Sequence, residues 1–329
     1  MRYLLVFAIF LFSISAIQAK VIKVGSSPTA SSAGIYLAKE RGYFKEQGLE
    51  VEVTDFNNSG APMTVLLSKG ELDVGAGNIT AGLFNAIAQG QKFKIVADKG
   101  HIEKNKDYLS LIVRTEHIKS GRYKSLKNLK GFKMGLTSLD GVSQEILTEK
   151  FLKKAGLKLE DVTFVKVSYA EMNLALKSGA IDATIQIEPF LTKAIQDGIA
   201  TKVNGGSEVY PKQQSGALFY SPQFIKDNEI DAKKFMVAYS KGIRDYNQAF
   251  EKNLNKQSVI DDLKKSIKID DASVWEKMAI VGLNEYGKLN VKELKDDIDW
   301  YQKRYIKEKL EANDIIDESF TKFAAENLK

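Results

Sequence analysis

The chain has 329 residues, of which 44% are hydrophobic, and this length is about twice that of an average domain. The net charge of +6 comes from 48 basic and 42 acidic residues spread along the sequence, which excludes a strongly basic nucleic-acid groove. Cysteine is absent, which excludes disulfide bonds and an acylated cysteine anchor. We therefore predict two folded units with a mixed, solvated surface and no nucleic-acid partner.

The first residues form a separate segment. Arg2 precedes an apolar run from residue 4 to residue 14, and Ala19 is a small residue suited to signal peptidase. The run is shorter than the ~18 to 20 apolar residues that a membrane-spanning helix requires. We therefore predict a signal peptide over residues 1–19, cleavage after Ala19, and a soluble protein in the periplasm.

Residues 20–110 are predicted to form the first part of lobe 1. Buried strands alternate with amphipathic helices here, which is typical of a mainly parallel sheet with helices on both faces. The predicted strands cover 21–25, 50–54, 73–75 and 93–97, and the predicted helices cover 33–47, 63–68 and 79–89. The apolar run 109–113 is predicted to cross to a second lobe.

Residues 111–216 repeat the pattern and are predicted to form lobe 2. Strands are expected over 132–136, 163–167 and 183–187, and helices over 142–155, 172–176 and 190–196. The run 217–220 is predicted to return to lobe 1, which residues 217–329 complete. Further helices are expected over 232–251, 256–265, 272–281 and 291–310 and from 318, and these should wrap lobe 1.

The two predicted lobes share a sequence echo. The segment LSKGELDV at residues 67–74 reappears about 109 residues later as LKSGAIDA at residues 176–183. Lys23-Val24-Gly25 and Lys133-Met134-Gly135 keep nearly the same offset. Self-similarity at a fixed spacing indicates a repeated structural unit, so the echo predicts two lobes of similar α/β build.

The loops that follow the predicted strands are the expected binding region, because ligands of open α/β sheets lie at the carboxyl ends of the strands. These loops cover 26–32, 56–61, 77–80, 137–143 and 186–189, and none contains Lys or Arg. Their neutral donors suit an anion or polar ligand held by helix N-termini, although each is individually also a plausible helix cap. They are Ser26, Ser27, Thr29, Ser31, Ser32, Ser59, Asn78, Thr80, Thr137, Ser138 and Ser143.

Glu188 is the sharpest single feature of these loops. It ends a predicted buried strand, where a carboxylate requires a partner, and Pro189 fixes the turn into the next helix. One hypothesis is that Glu188 accepts hydrogen bonds from an ammonium or ring amino group of the ligand. The alternative, given equal weight, is a structural carboxylate at the start of the helix or in an ion pair.

Catalytic motifs are not found in the sequence. His101 and His117 are the two histidines and lie in predicted loops, and the GxSxG, HExxH and CxxC patterns are absent. The segment 75–82 has two glycines of the dinucleotide fingerprint and misplaces the third. We therefore predict a binding protein that is not an enzyme and has no cofactor and no metal.

Several segments resemble one protein family, namely the substrate-binding proteins of nitrate, sulfonate and taurine importers and of thiamine-pyrimidine (NMT1/THI5-like) importers. These segments are GYFKEQGL at 42–49, the two Gly-x-x-Asp elements, LKNLKG at 126–131 and EPF at 188–190. The resemblance covers residues 21 to about 250. It implies a two-lobed periplasmic-binding-protein type II fold with two crossover strands and a ligand cleft between the lobes.

The resemblance also implies partners and site residues. The partners are a small-molecule ligand and an inner-membrane ABC permease with its ATPase, and the protein is expected to be a monomer. Sulfonate binders commonly show Trp-Asp-Pro where this chain has Ile187-Glu188-Pro189. That departure favours a zwitterion or an aminopyrimidine-like heterocycle over a simple alkanesulfonate. The family's ligand loops correspond here to Thr29, Ser31, Ser32, Gly77, Asn78, Thr80, Ser138, Gly141, Val142, Ser143 and Glu188.

An enzyme shares the same fold and provides the alternative function. It is a pyrimidine synthase of the yeast thiamine-precursor type, and its chemistry requires a Schiff-base lysine, a sacrificial histidine and a cysteine-rich segment. None of these occurs in the predicted ligand loops. The export signal also favours the binding protein.

Overall fold

The computed structural model describes residues 21–56 and 61–328. The predicted signal peptide and its cleavage point lie outside the described residues, as does Ser59 of the second predicted loop. None of the described helices combines the length and the apolar character that crossing a bilayer would need.

The first sheet has the strand order β2-β1-β3-β10-β4. β1 pairs in parallel with both β2 and β3, whereas β10 pairs antiparallel with β3 and β4. The sheet is therefore mixed, with a parallel half and an antiparallel half. Its strands are β1 (Ile22–Ser26), β2 (Val51–Asp55), β3 (Val74–Asn78), β4 (Lys94–His101) and β10 (Gln214–Tyr220).

The second sheet has the same plan, with the order β7-β6-β8-β5-β9. β6 pairs in parallel with β7 and β8, and β5 pairs antiparallel with β8 and β9. The predicted α/β fold of two similar lobes is thus confirmed. The strands are β5 (Leu109–Arg114), β6 (Lys133–Leu136), β7 (Thr163–Lys166), β8 (Ala183–Ile187) and β9 (Ala200–Gly205), of which β9 was not predicted.

The repeated aspartate of the sequence echo has the same contact in both lobes. The Asp73 carboxylate accepts a hydrogen bond of 2.9 Å from the Lys23 backbone N–H, at the start of β1. The Asp182 carboxylate accepts one of 2.9 Å from the Lys133 backbone N–H, at the start of β6. Each aspartate therefore connects the residues before a central strand, β3 or β8, to the neighbouring strand, β1 or β6. This shared contact explains why the repeated sequence includes both aspartates.

The helices of the two lobes connect these strands. The predicted single helix over 33–47 is two helices, because Gly42 adopts a left-handed φ of 75° that ends the first. Lobe 1 contains α1 (Ala33–Glu40), α2 (Tyr43–Glu46), α3 (Ala61–Ser68) and α4 (Ala81–Ala88). Lobe 2 contains α5 (Thr115–Lys119), α6 (Ser143–Lys154), α7 (Tyr169–Ser178) and α8 (Phe190–Gln196).

The chain crosses between the sheets at residues 102–108 and 206–213. The apolar runs predicted to cross, 109–113 and 217–220, instead lie inside the sheets as parts of β5 and β10, and every residue of both runs is buried. The reason is that an apolar strand gains more from burial within a sheet than from spanning two lobes. The lobe boundaries predicted after residues 110 and 216 therefore fall within these strands.

The C-terminal segment contacts both lobes, whereas the sequence predicted that it wraps lobe 1. α10, α11 and α15 pack on lobe 1, α12 packs against α8, and α13 packs against α6 and β10. The α13 residue Trp300 donates to Glu149 of α6 at 2.9 Å, and the Tyr301 hydroxyl donates to the Ile79 carbonyl of lobe 1 at 2.9 Å. The helices are α9 (Pro222–Asp227), α10 (Glu229–Lys252), α11 (Lys256–Ile267), α12 (Ala272–Lys277), α13 (Val291–Arg304), α14 (Ala312–Ile315) and α15 (Ser319–Asn327).

Candidate functional site

Four of the loops predicted to bind ligand, 26–32, 77–80, 137–143 and 186–189, meet at one junction between the lobes, whereas the loop 56–61 lies largely outside the described residues. Thr80, before α4 of lobe 1, and Val142, before α6 of lobe 2, form an isolated antiparallel bridge. Two main-chain hydrogen bonds flank this bridge, from the Ala81 N–H to the Gly141 carbonyl at 3.0 Å and from the Ser143 N–H to the Ile79 carbonyl at 3.1 Å. The first lobe therefore contacts the second directly through these two loops.

A second contact joins the loop after β1 to the end of β8. The Ala30 N–H donates to the Glu188 carbonyl at 3.1 Å, and the Glu188 N–H donates to the Tyr108 carbonyl at 3.0 Å in the first crossing segment. Thr29, Asn78, Ser143 and Glu188 thus belong to loops gathered around one junction. This is the arrangement expected for a ligand site between two lobes.

Four of the predicted hydroxyl residues make structural hydrogen bonds. Those of Ser32, Thr80 and Ser138 are local and correspond to the capping and turn roles that the sequence left open, whereas that of Ser143 joins α6 to β10 across 72 residues. Ser32 donates to the Ser27 carbonyl at 2.5 Å, Thr80 accepts from the Leu83 N–H at 3.2 Å, Ser138 accepts from the Asp140 N–H at 3.2 Å, and Ser143 donates to the Ser215 carbonyl at 2.8 Å. Their hydroxyl groups shape the loops.

Thr29 and Ser31 have a different environment. Their hydroxyl oxygens are 3.0 Å apart in the loop after β1, and both side chains are buried. No main-chain group of the described residues is a partner of either hydroxyl. Ser31 also accepts a hydrogen bond of 2.8 Å from the Nζ atom of Lys99. This pair therefore presents hydroxyl groups that are not used in helix capping.

Asn78 faces two residues of the opposite lobe. Its Nδ2 atom lies 3.5 Å from the Thr137 hydroxyl and 3.4 Å from the Tyr169 hydroxyl, both at the long end of hydrogen-bond distances. Burial raises the pKa of Tyr169, so this hydroxyl stays a neutral phenol. Two neutral hydroxyl groups of lobe 2, those of Thr137 and Tyr169, therefore lie within 3.5 Å of the Asn78 amide nitrogen of lobe 1. Tyr169 as a polar member of this group was not predicted.

The Glu188 carboxylate already has protein partners. Its Oε1 atom accepts from the Thr192 hydroxyl at 2.9 Å and from the Ala279 N–H at 3.0 Å, and its Oε2 atom accepts from the Thr192 N–H at 3.0 Å. Burial raises the pKa of Glu188 to about 7, although these hydrogen bonds act in the opposite direction. The contacts match the structural alternative, because they join the first turn of α8 to the segment after α12.

Lys99 contacts the first predicted ligand loop and is not among the predicted site residues. It lies in β4 and is 1% exposed, and its Nζ atom contacts Ser31 in the first ligand loop. The apolar pattern predicts that this strand ends at Ala97, and the predicted site residues all come from the loops between elements. A signal was present, since the polar residues Asp98, Lys99 and His101 directly follow an apolar strand.

Asp98, beside Lys99, accepts hydrogen bonds from four donors. They are the Gly100 N–H at 2.7 Å, the Gln214 Nε2 atom at 2.7 Å, the His101 Nδ1 atom at 2.8 Å and the Asn284 N–H at 2.8 Å. The Nε2 atom of His101 lies 3.0 Å from Glu103. Burial opposes a charge on His101, but the two carboxylates outweigh it and raise its pKa to about 10. His101 is therefore a buried imidazolium that neutralises Asp98.

Metal binding finds no support in residues 21–56 and 61–328, where no group of three or more His, Asp or Glu side chains is placed to hold an ion.

The remaining predicted positions contribute only main-chain atoms to the junction. They are Gly77 in β3 and Gly141 and Val142 before α6. Gly141 has a φ of 82°, and a Cβ atom there would lie 2.9 Å from that of Ala81. A side chain at this position would separate the two loops.

Comparison with known proteins places the chain in one family. The family model described as NMT1/THI5 like matches residues 29–249. A binding protein of Brucella abortus is 28% identical over 240 residues, which are 72% of this chain and 68% of the relative. The 4-amino-5-hydroxymethyl-2-methylpyrimidine phosphate synthase of Saccharomyces cerevisiae is 28% identical over 229 residues, which are 65% of this chain and 63% of the enzyme.

A solved structure shares the fold across nearly the whole chain. It is the ligand-binding component of an ABC-type import system from Staphylococcus aureus, with zinc bound. It superposes with a TM-score of 0.76 at 20% identity and covers 93% of this chain and 99% of its own. The fold predicted from the resemblance is therefore confirmed.

Proposed function

The chain belongs to the NMT1/THI5-like family, and from that membership we propose that it is an extracytoplasmic solute-binding protein. In this role it captures a small organic ligand and delivers it to an inner-membrane ABC permease with its ATPase. The import role of the Staphylococcus aureus protein on the same fold supports this proposal. The ligand is a zwitterion, a sulfonate or a heterocyclic or aromatic compound.

The observation that carries the proposal is the junction between the lobes. Both lobes contribute loops at the carboxyl ends of parallel strands, and Asn78 of lobe 1 meets Thr137 and Tyr169 of lobe 2. A small molecule placed there touches both lobes at once. Its capture is non-covalent, because neutral hydroxyl and amide groups bind by hydrogen bonds.

Among the predicted site residues we propose a division of roles. Thr29, Ser31 and Asn78 contact the ligand, because their polar groups are not used in capping. The bridge between Thr80 and Val142 positions the loops. The other predicted residues, which are Ser32, Gly77, Ser138, Gly141, Ser143 and Glu188, shape or brace the site, and for Glu188 a ligand contact stays an open prediction.

Closure of the lobes is the proposed mechanism. An open form exposes the loops to water, and a ligand that contacts both lobes stabilises the closed form by its differential affinity. The two crossing segments, 102–108 and 206–213, are the places where the lobes turn relative to one another. The closed form then presents a combined surface of both lobes to the permease.

The location follows from the sequence prediction. We propose that residues 1–19 direct export, that cleavage after Ala19 releases the mature chain, and that the protein works in the periplasm as a monomer. The apolar run and small residue of this segment support export. Mass spectrometry of the protein purified from a periplasmic extract tests the cleavage, since the proposal predicts Lys20 as the first residue.

A ligand screen tests the function. The mature chain, stripped of small molecules by unfolding and refolding, is screened by thermal shift with taurine, alkanesulfonates, aromatic acids and aminopyrimidines. Binding to the folded state raises the melting temperature, so at least one class is expected to do so, and calorimetry then gives its affinity. A chain that responds to none of them and carries no small molecule on purification contradicts the proposal.

The synthase is the second candidate, favoured by the yeast relative at 28% identity. Lys99 is buried beside Ser31, and burial lowers its pKa to about 7, which suits an amine that forms a Schiff base. His101 is a poor sacrificial group, because both of its ring nitrogens contact carboxylates. Mass spectrometry separates the candidates, because the synthase predicts a lysine adduct and a converted histidine after turnover.

A further inference from the structure

Lys99 is a buried cation at the edge of the ligand junction. Its side chain is 1% exposed, and its ammonium group donates a hydrogen bond of 2.8 Å to the Ser31 hydroxyl. Ser31 is in turn 3.0 Å from the Thr29 hydroxyl. Among the described residues, the Lys99 ammonium has no carboxylate within ion-pair distance and no second hydrogen-bond acceptor. Two of its three N–H donors therefore have no protein partner there.

The sheet provides a path for this side chain. Gly216 of β10 pairs with Asn78 on one side and with Gly100 on the other. A Cβ atom at Gly216 would lie 3.6 Å from the Lys99 Cδ atom and 3.3 Å from the Gly77 carbonyl oxygen. The Lys99 side chain thus runs past Gly216 at an ordinary van der Waals distance. Its ammonium group reaches the loop after β1, which carries Thr29 and Ser31, and Gly216 itself pairs with Asn78 of β3.

Neighbouring acids do not neutralise Lys99. Asp98 precedes Lys99 in the chain, but its two oxygens are occupied by four other donors, and the His101 imidazolium balances its charge. Glu103 pairs with His101 and Lys106 in the same way. The electrostatics agree, since burial lowers the pKa of Lys99 to about 7 despite the attraction of Asp98. A buried ammonium without a counterion is costly in free energy, so it requires an external anion or loses its proton.

We propose that Lys99 is the cation that binds an acidic group of the ligand. One hydroxyl of the Thr29–Ser31 pair is a further donor, because the proton of the other is used in the hydrogen bond between them. The ligand class is a small organic acid whose sulfonate or carboxylate lies against lobe 1, while its other end reaches Asn78, Thr137 and Tyr169. This inference rests on the proposed function. It revises the sequence prediction that the site has no cation, because the cation comes from a strand and the prediction considered only loops.

The role proposed for Lys99 predicts two changes in the variant Lys99→Met, one in stability and one in ligand affinity. Methionine fills a similar volume without a charge, so the ligand-free variant should melt at a higher temperature than the wild type. The same variant should lose roughly tenfold to a hundredfold in affinity for acidic probes, as expected for a hydrogen bond to a charged group. A merely structural lysine would not combine a gain in stability with a loss in affinity.

The experiment compares matched probes and variants. Taurine, ethanesulfonate and benzoate are the acidic probes, and benzamide and 4-aminopyrimidine lack an acidic group; each is titrated by calorimetry and thermal shift. Lys127→Met removes a charge from an exposed lysine and serves as the control. The expected result is that an acidic probe binds the wild type and Lys127→Met alike and binds Lys99→Met much more weakly.

The outcomes separate the two proposals. Acidic probes that bind the wild type and Lys99→Met within about twofold, well below the loss expected for a charged partner, overturn the role of Lys99 and leave the solute-binding function intact. Binding of uncharged probes alone overturns the acidic ligand class and also leaves that function intact. A wild type that binds no probe and carries no small molecule on purification overturns both proposals.

Discussion

Replacing Glu188 with glutamine separates the two roles considered for this residue. The carboxylate oxygens accept from the Thr192 hydroxyl, the Thr192 N–H and the Ala279 N–H. In either orientation the glutamine NH₂ group faces one of these two backbone N–H groups, which then loses its acceptor. A buried donor left unsatisfied costs ~1–3 kcal/mol of the free energy of unfolding.

The pH dependence of this loss can be worked out from the pKa of Glu188. Its pKa is about 7 in the folded protein, against an ordinary value of 4.5, so the folded state holds the proton more tightly than the unfolded state. The stability that Glu188 contributes is complete below pH 4.5 and is lost as pH rises through about 7. This difference corresponds to ~3 kcal/mol at most. Glutamine does not titrate, so the difference in the free energy of unfolding between wild type and Glu188→Gln should shrink with rising pH.

Urea unfolding of wild type and Glu188→Gln at about pH 5 and about pH 8 measures this difference directly. We expect the variant to be less stable by ~1–3 kcal/mol at the lower pH and close to the wild type at the higher pH. Glu52→Gln, at an exposed position on β2, is the control and should show neither effect. Ligand affinity of Glu188→Gln should stay within about twofold of the wild type, since the lost contacts lie within the protein.

Two results would refute the reasoning. One is a stability difference between wild type and Glu188→Gln that does not change with pH, which would show that the carboxyl group is not protonated in the folded state. The other is unchanged stability together with a large loss of ligand affinity, which would establish Glu188 as a ligand contact.

Two further predictions concern packing and charge. Gly242→Ala should lower the free energy of unfolding in urea by several kcal/mol, because its Cβ atom would lie 2.2 Å from the Gly34 carbonyl oxygen. The control Gly82→Ala, whose Cβ atom has its nearest contact at 3.7 Å, should be neutral or stabilising. Equal effects of the two substitutions would contradict the close helix contact. The pKa of His101 is about 10, against 6.5 ordinarily, so its stabilising contribution should fall as pH rises through about 10. His101→Gln should lack this fall, and parallel pH profiles of the two proteins would contradict it.

The duplicated architecture was predictable because each half contains the same short sequence element. Asp73 and Asp182 within these elements accept hydrogen bonds from Lys23 and Lys133, which are 50 and 49 residues away, so the pattern is local in the sequence although the contact is not. Element types followed from apolar periodicity in the same way. The crossing points were less predictable, because an apolar run such as 109–113 reads the same inside a sheet and between lobes.

The details of the site depend on tertiary contacts that the sequence does not encode locally. The direction of the Glu188 side chain depends on Ala279, which is 91 residues away. The Lys99 ammonium group contacts Ser31, which is 68 residues away. The contact of α13 with lobe 2 depends on Trp300 and Glu149, which are 151 residues apart. Local patterns identified the loops but could not assign these partners.

Small-angle X-ray scattering tests the central claim, which is that the two lobes close on a ligand. The radius of gyration of the mature protein is measured without ligand and with a saturating ligand whose binding calorimetry has established. We predict that the ligand-free radius exceeds the value calculated from the structure described above, in which the lobes touch at Thr80 and Val142, and that ligand reduces it to that value. Identical scattering curves with and without the bound ligand would contradict the account.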